Sequence, residues 1–273
     1  MSVEIETGAA DTENATILYQ NIFEEGTVTV SSETSDGAGL NAVEDTTFDF
    51  WTPASVPAHI HVDYGEDVEC DCMGIASHTA GIEGTTILVQ YSNNDVDWTT
   101  IASVSSLTDD TIFVIFPATE ARYWRVRQTS AVCSIGVVKL GKRLIFPSGV
   151  LSGHTSVGHS NRVELMANVS QQGQFLGTRI KRIGARVNIN FGQIETDFVD
   201  NDMAVFEAHF NSGRTFFYAG SPTDWPDDYG YCWRGGSELR PSYVEGGELS
   251  QVDIEADFYV YLRQLPTLNV TRP

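Results

Sequence analysis

The residues best suited to chemistry lie in three short stretches. His59-Ile-His61 and Cys70-Asp-Cys72 are pairs of metal-ligating types two apart, and on a strand such pairs share a face, so the four side chains could converge on a tetrahedral zinc. The alternative is two histidines on a wet strand face and two buried thiols. Zinc-finger spacing is missing on both sides, and no metal is expected. Asp224, Asp227 and Asp228 beside Trp225 and Tyr229 are the best carboxylates for glycoside hydrolysis, which needs two at a set separation. Aromatics among carboxylates also describe a sugar subsite without chemistry, or an interface loop, and the interface reading ranks first. Gly-x-Ser-x-Gly, a Gly-rich phosphate loop and His-Glu-x-x-His are all absent from the sequence, so no enzyme is expected.

Charge narrows the partners. The first 121 residues hold 22 Asp and Glu and no Lys or Arg, whereas residues 122–273 hold 15 acids against 16 bases. A net charge of −21 repels the phosphate backbone and anionic lipid, so neither nucleic acid nor a membrane surface is expected. The start, Met1-Ser-Val-Glu-Ile-Glu-Thr7, lacks the basic and apolar regions of a secretory signal, and no apolar run reaches the roughly 18 residues of a membrane helix. Cys70, Cys72, Cys133 and Cys232 are too few and scattered for a disulfide framework, and reduced, buried thiols are expected.

These residues must be positioned by strands. Residues 1–40 are polar and acidic, and read equally as an arm on a neighbouring subunit or as an edge strand. Strands are expected at His59–Tyr64, Cys70–Ser77, Thr85–Tyr91, Thr99–Val104, Thr111–Phe116, Ala121–Gln128 and Cys133–Leu140, at the short spacing of an antiparallel sandwich. Tyr123, Arg125 and Arg127 alternate with Arg122, Trp124 and Val126, giving that strand two different faces. Ser92-Asn-Asn-Asp-Val-Asp97 is a hairpin turn, since Asn and Asp tolerate positive φ. Lys139, Lys142 and Arg143 read as a solvated seam against acidic surface.

Asn41-Ala-Val-Glu-Asp-Thr-Thr47 with Trp51, Ile60-His-Val-Asp-Tyr-Gly65, Ile87-Leu-Val-Gln-Tyr-Ser92 with Asp97-Trp98, and Ala121-Arg-Tyr-Trp-Arg-Val126 stand in an order that resembles the discoidin, or coagulation-factor 5/8 C-type, galactose-binding-like domain. The resemblance implies an eight-stranded jelly roll over residues 41–142, binding glycans, lipids or proteins through loops at one end. It draws Trp51, Asp45 and Thr47 toward a ligand site. Asp45 and Thr47 fall where some relatives hold structural calcium, yet one Asp and one Thr are a thin oxygen set, and no cofactor is expected. The chain departs from the family in having no cysteine near Asn41 to pair with Cys133, and no loop arginine before Arg122.

Residues 143–273 begin with a long loop around Gly153 and Gly158, then a strand at 163–169 and an alternating one at Ile183–Phe191. Asp200–Phe210 is the one expected helix, Thr215–Gly220 is a compact apolar strand, and Leu249–Tyr261 alternates as a closing strand. This order, with its Pro-Asp-Asp-Tyr loop and paired aromatics, resembles the distal-tail or hub structural proteins of tailed bacteriophages. The fold class expected is therefore all-β with minor α: two β-sandwich domains, the first a discoidin-like jelly roll. Two functions follow from the resemblances. The first is a virion structural protein, a homo-oligomeric ring subunit at the tail tip that contacts other tail proteins and touches host glycan, with Trp225, Tyr229 and Trp233 at its subunit contacts. The second is a free carbohydrate-binding lectin.

Overall fold

The computed structural model describes residues 2–105, 108–150, 156–243 and 251–261. In chain order the strands are β1 (Glu4–Ile5), β2 (Thr16–Leu18), β3 (Thr27–Val30), β4 (Ala58–His78), β5 (Thr86–Ser92), β6 (Thr99–Ser105), β7 (Ile112–Gln128), β8 (Ile135–Gly141) and β9 (Leu144–Ile145). They continue as β10 (Asn161–Val169), β11 (Phe175–Glu195), β12 (Phe216–Ser221), β13 (Trp225–Arg234), β14 (Ser242–Tyr243) and β15 (Gln251–Val260). The chain is all-β with short helices.

Two long strands make the first unit. The expected strands His59–Tyr64 and Cys70–Ser77 are one strand, β4, and Thr111–Phe116 and Ala121–Gln128 are likewise one strand, β7. Each carries an irregularity where a loop was expected: register shifts fall between Asp63 and Val68 and between Cys70 and Cys72. A bulge bends a strand without reversing it, so β4 and β7 pass from a front layer, β3-β4-β7-β5-β6, into a back layer where β8 and β1 join them. Between the layers lies one apolar core that takes Ile60, Val62, Trp124 and Val126 from the front, and Met73, Ile75, Val114 and Leu140 from the back.

The bulge keeps the His59/His61 and Cys70/Cys72 pairs from converging on one site. Cys70 lies in the core between front and back layers, whereas Cys72, past the register shift, lies in a different core on the other side of the back layer. All four cysteines are free and buried, and among the described residues no group of three or more His, Cys, Asp and Glu could hold a metal. Asp71, within the bulge, accepts from the Arg143 backbone N–H at 2.8 Å and from its Nε at 3.0 Å.

The second sheet runs β10-β11-β15-β13-β12-β2-β9, with β14 on β15. Residues 1–40 therefore serve both sheets: β1 pairs with β7, β3 with β4, and β2 lies between β12 and β9. One face is covered by the helical stretch α3 (Thr196–Phe198), the π turn Val199–Met203 and α4 (Ala204–Asn211), which broadens the expected 200–210 helix. Phe206 and Phe210, four apart and so on one helix face, pack on Phe216 at ring distances of 5.4 and 5.7 Å. Also helical are two single turns, α1 (Ile22–Glu25) and α2 (Ala80–Glu83). Leu249 and Ser250 of the expected closing strand, and residues 151–155 of the expected Gly153 loop, lie outside the described residues.

The other face of the second sheet packs on the back layer of the first unit. Leu18, Phe217, Ala219, Tyr229 and Tyr231 meet Cys72, Ala76, Phe113, Ile115 and Val137 in a shared core. The approach is so close that a Cβ on Gly74 would stand 2.5 Å from the Phe217 ring. Lys139, expected in a solvated seam, is fully buried here, 2.6 Å from Asp45 and 3.3 Å from Glu24. Arg143 is buried against Asp71, and only Lys142 is exposed, on Glu69 at 2.9 Å. The ammonium is tolerated because two carboxylates compensate it.

Candidate binding face of the front sheet

The loop end of the first unit, where the resemblance directs a ligand, is taken up by internal contacts. Trp51 is fully buried in the core and donates Nε1–H to the Ser32 carbonyl at 3.0 Å, so it offers a ligand nothing. Asp45 is engaged by Lys139 and by the Thr215 hydroxyl, which donates at 2.5 Å; the Tyr231 hydroxyl donates to its carbonyl at 2.8 Å. Burial works to raise the Asp45 carboxyl, and Lys139 with the Thr215 donors outweighs it, leaving the group below the usual carboxylate range. The Thr47 carbonyl accepts from Ser77 Oγ at 2.9 Å. These three residues are part of the joint between the units or of its support.

The three aromatics expected at subunit contacts separate as well. Trp225 is 67 % exposed at the start of β13. Tyr229 is buried in the shared core and donates to the Thr111 carbonyl at 2.9 Å, so the contact it serves lies within one chain. Trp233 is half-buried against Tyr259, with ring centroids 6.1 Å apart. The aspartates beside them diverge: Asp228 is buried and accepts from the Val157 N–H at 2.6 Å, whereas Asp224 and Asp227 are exposed.

Alternation leaves the front layer with one open face. Because Ile60, Val62, Val89, Trp124 and Val126 turn inward, their neighbours His59, His61, Gln90, Tyr123, Arg125 and Arg127 turn outward. Register then aligns Thr29, His61, Arg125, Gln90 and Thr100 in a single row across all five strands. The row is knit by hydrogen bonds: Thr29 Oγ1 with His61 Nδ1 at 3.1 Å, Arg125 Nε to Gln90 Oε1 at 2.8 Å, and Gln90 Nε2 to Thr100 Oγ1 at 2.8 Å.

The β5–β6 hairpin carries aromatic surface to this row. Asn94 Oδ1 accepts from the N–H groups of Val96 and Asp97, and its amide donates to Asp97, which fixes the turn expected at residues 92–97. Trp98 is thereby held with the Arg125 guanidinium 4.0 Å from its ring centroid, a favourable cation–π pair. His61 meets Trp98 edge-on at 5.4 Å and stacks on Tyr123 at 6.0 Å. Its Nε2 is 3.3 Å from Asp95 Oδ1 yet makes no hydrogen bond among the described residues, because the contact is off-axis. Burial, then Arg125, His61 and Arg127, pull the His59 imidazole down to about 4; burial also lowers His61, against the pull of Asp95. Both rings are therefore neutral at pH 7 and can donate or accept.

Residues 27–139 match the F5/8 type C domain family model. This stretch is the first unit from β3 into β8. No curated protein matches the chain. Among solved structures the chain is similar to CpGH89CBM32-5 from Clostridium perfringens, in complex with GalNAc-β-1,3-galactose, at 15% identity and a TM-score of 0.40, covering 46% of this chain and 99% of that one. It is also similar to chitosan-binding module 2 of a chitosanase/glucanase from Paenibacillus sp. IK-5, in complex with chitotriose, at 21% identity and a TM-score of 0.38, covering 44% and 99%. At such overlaps neither says anything of what this chain binds.

The outward row was only partly visible in the sequence. The alternation of Tyr123, Arg125 and Arg127 was plain, and His59 and His61 stood out, though as metal ligands. Nothing in the sequence alone paired the two strands in register, and Trp98 stood out only as part of the discoidin resemblance, without a place on this face.

Proposed function

We propose that the chain is a carbohydrate-binding protein whose ligand lies on the outward face of the front sheet. The observation that supports this is the row of Thr29, His61, Arg125 and Gln90 beside the half-buried rings of Trp98 and Tyr123. A pyranose has an apolar C–H face and a rim of hydroxyls; aromatic surface suits the first, and a neutral imidazole and guanidinium N–H groups suit the second, while the buried Gln90 amide holds Arg125 in place. The F5/8 type C match over residues 27–139 agrees with a ligand-binding module. Affinity electrophoresis of the full chain through polysaccharide gels tests it: retardation by at least one polysaccharide is expected, and Trp98→Ala should abolish it. Retardation that survives Trp98→Ala would move the ligand off this face.

A second reading makes the chain a structural subunit of a tailed-phage tail tip, carried in the virion as a homo-oligomeric ring among other tail proteins. One observation favours it. Along the β10–β11 ribbon Met166, Val169, Phe175 and Leu176 are 53 to 67 % exposed, and a two-stranded ribbon carrying apolar side chains in water is marginal by itself. A closed ring in size-exclusion light scattering is expected on this reading; a monomer at all concentrations would remove it.

A further inference from the structure

The open face gathers the few arginines of the most acidic part of the chain. Within residues 1–128 the only basic side chains are Arg122, Arg125 and Arg127, against 22 acids. Arg122 is spoken for: it holds Asp63 through two hydrogen bonds of 2.7 and 2.9 Å. Arg125 and Arg127 instead stand directly across the strand pair from His61 and His59, a two-by-two block of imidazoles and guanidiniums on one face. The residues directly across from the two arginines are His61 and Gln90 for Arg125, and His59 and Leu88 for Arg127, so neither guanidinium faces a carboxylate on a neighbouring strand. Asp95, half-exposed, lies 3.3 Å from His61, Asp63, held by Arg122, also acts on that histidine, and Arg127 forms no ion pair among the described residues.

We infer that this face takes an acidic saccharide, its carboxylate or sulfate held by Arg127 and Arg125, its hydroxyls by His59, and its ring by Trp98 and Tyr123. The inference rests on the carbohydrate reading above and adds the charge of the ligand. A guanidinium fork matches a planar oxyanion with two parallel hydrogen bonds, which a neutral sugar cannot use. Acids of the unit that lie farther than about 8 Å from the block take little from this attraction, because at physiological salt charges beyond that distance are largely screened. They do disfavour a nucleic-acid backbone, whose closely spaced phosphates must run past the block into acidic surface.

Calorimetric titration of the full chain at physiological salt tests the inference with three probes: an oligogalacturonide, the same oligosaccharide as its methyl ester, and a sulfated galactan oligosaccharide. The free acid should bind at least tenfold more tightly than its ester, and Arg127→Gln should erase that difference. Arg127→Lys should restore it only in part, because an ammonium lacks the fork. Tight binding of the sulfated probe alone supports the same site with sulfate as the anion. Shifts of the His59 and Trp98 resonances in the unmodified chain locate the contact without relying on any variant. Equal affinity for acid and ester overturns the charge inference and leaves the carbohydrate reading intact. Acid binding that ignores Arg127→Gln, or that leaves His59 and Trp98 unshifted, overturns the site. Failure of every saccharide, acidic or neutral, overturns both.

Discussion

The two outer faces of the first unit are made by the same pair of strands, and they meet opposite surroundings. In the front layer β4 and β7 alternate, with Ile60, Val62, Trp124 and Val126 inward and His59, His61, Arg125 and Arg127 outward. In the back layer the same strands are buried on both sides: residues 70–78 of β4 and 112–116 of β7 are buried without a break. Continuous burial marks a layer with a neighbour on each face, and alternation marks one with water on the other. The difference explains why one face of the unit is free to bind while the other is committed to the second sheet.

The largest test of that contrast is to remove the neighbour. Phe217 is fully buried against Gly74 and stacks on Phe113 at 6.1 Å, so Phe217→Ala should lose about 3–5 kcal/mol in urea denaturation. Both units should then unfold in one transition, since they share a core. A fragment ending at Leu140 bares Phe113, Ile115 and Val137 and should aggregate or melt far below the full chain. A fragment that melts near the full chain's Tm would show that the back face does not need its cover.

How much of this was legible in the sequence follows from the same contrast. The strands of the front layer were readable because alternation is local, and the runs at Cys70–Ser77 and Thr111–Phe116 were readable as strands for their apolar content. Their double burial was not, since it depends on which distant strand lies against them. β2 illustrates this: Thr16–Leu18 is only three residues, and its place between β12 and β9 is set by partners about 130 and 200 positions away along the chain. The Cys70/Cys72 bulge defeated the two-residue rule for a similar reason, because Asp71 is drawn to Arg143 across the structure. Trp51 was drawn to a ligand site by the family resemblance alone, and whether the loop folds over it, as it does here, depends on contacts that the residue types do not show.

A smaller effect should follow at the joint between the units. Lys139→Met leaves Asp45 and Glu24, each about a quarter exposed, without their shared ammonium, and should cost about 2 kcal/mol, below the full penalty of a buried pair because water reaches both carboxylates. The sign against pH is fixed by Asp45, whose carboxyl is lowered in the fold. A depressed carboxylate stabilises above its unfolded value near 4 and loses that contribution as pH falls through the folded value. The gap between wild type and Lys139→Met should therefore be wide at pH 7 and shrink below pH 4, read from denaturation midpoints. A gap that is constant with pH would mean that the lysine acts through packing of its stem.

The smallest effect lies on the open face and reads its electrostatics directly. His59 is pulled down to about 4 by burial first, then by Arg125, His61 and Arg127, whereas a free imidazole titrates near 6.5. Between those values the unfolded chain binds the proton that the folded chain refuses, so this histidine's contribution to stability is full above 6.5 and is lost as pH falls toward 4. NMR titration of its ring should give a midpoint near 4 in the wild type. Arg127→Gln should raise the midpoint by part of the difference, because burial remains, and it should leave the Tm nearly unchanged, as Arg127 forms no ion pair among the described residues. A midpoint that stays put after Arg127→Gln would assign the whole depression to burial and Arg125. A wild-type midpoint near 6.5 would mean that the outward row is as open to water as an ordinary surface, and that the arginines beside His59 exert no net pull on it.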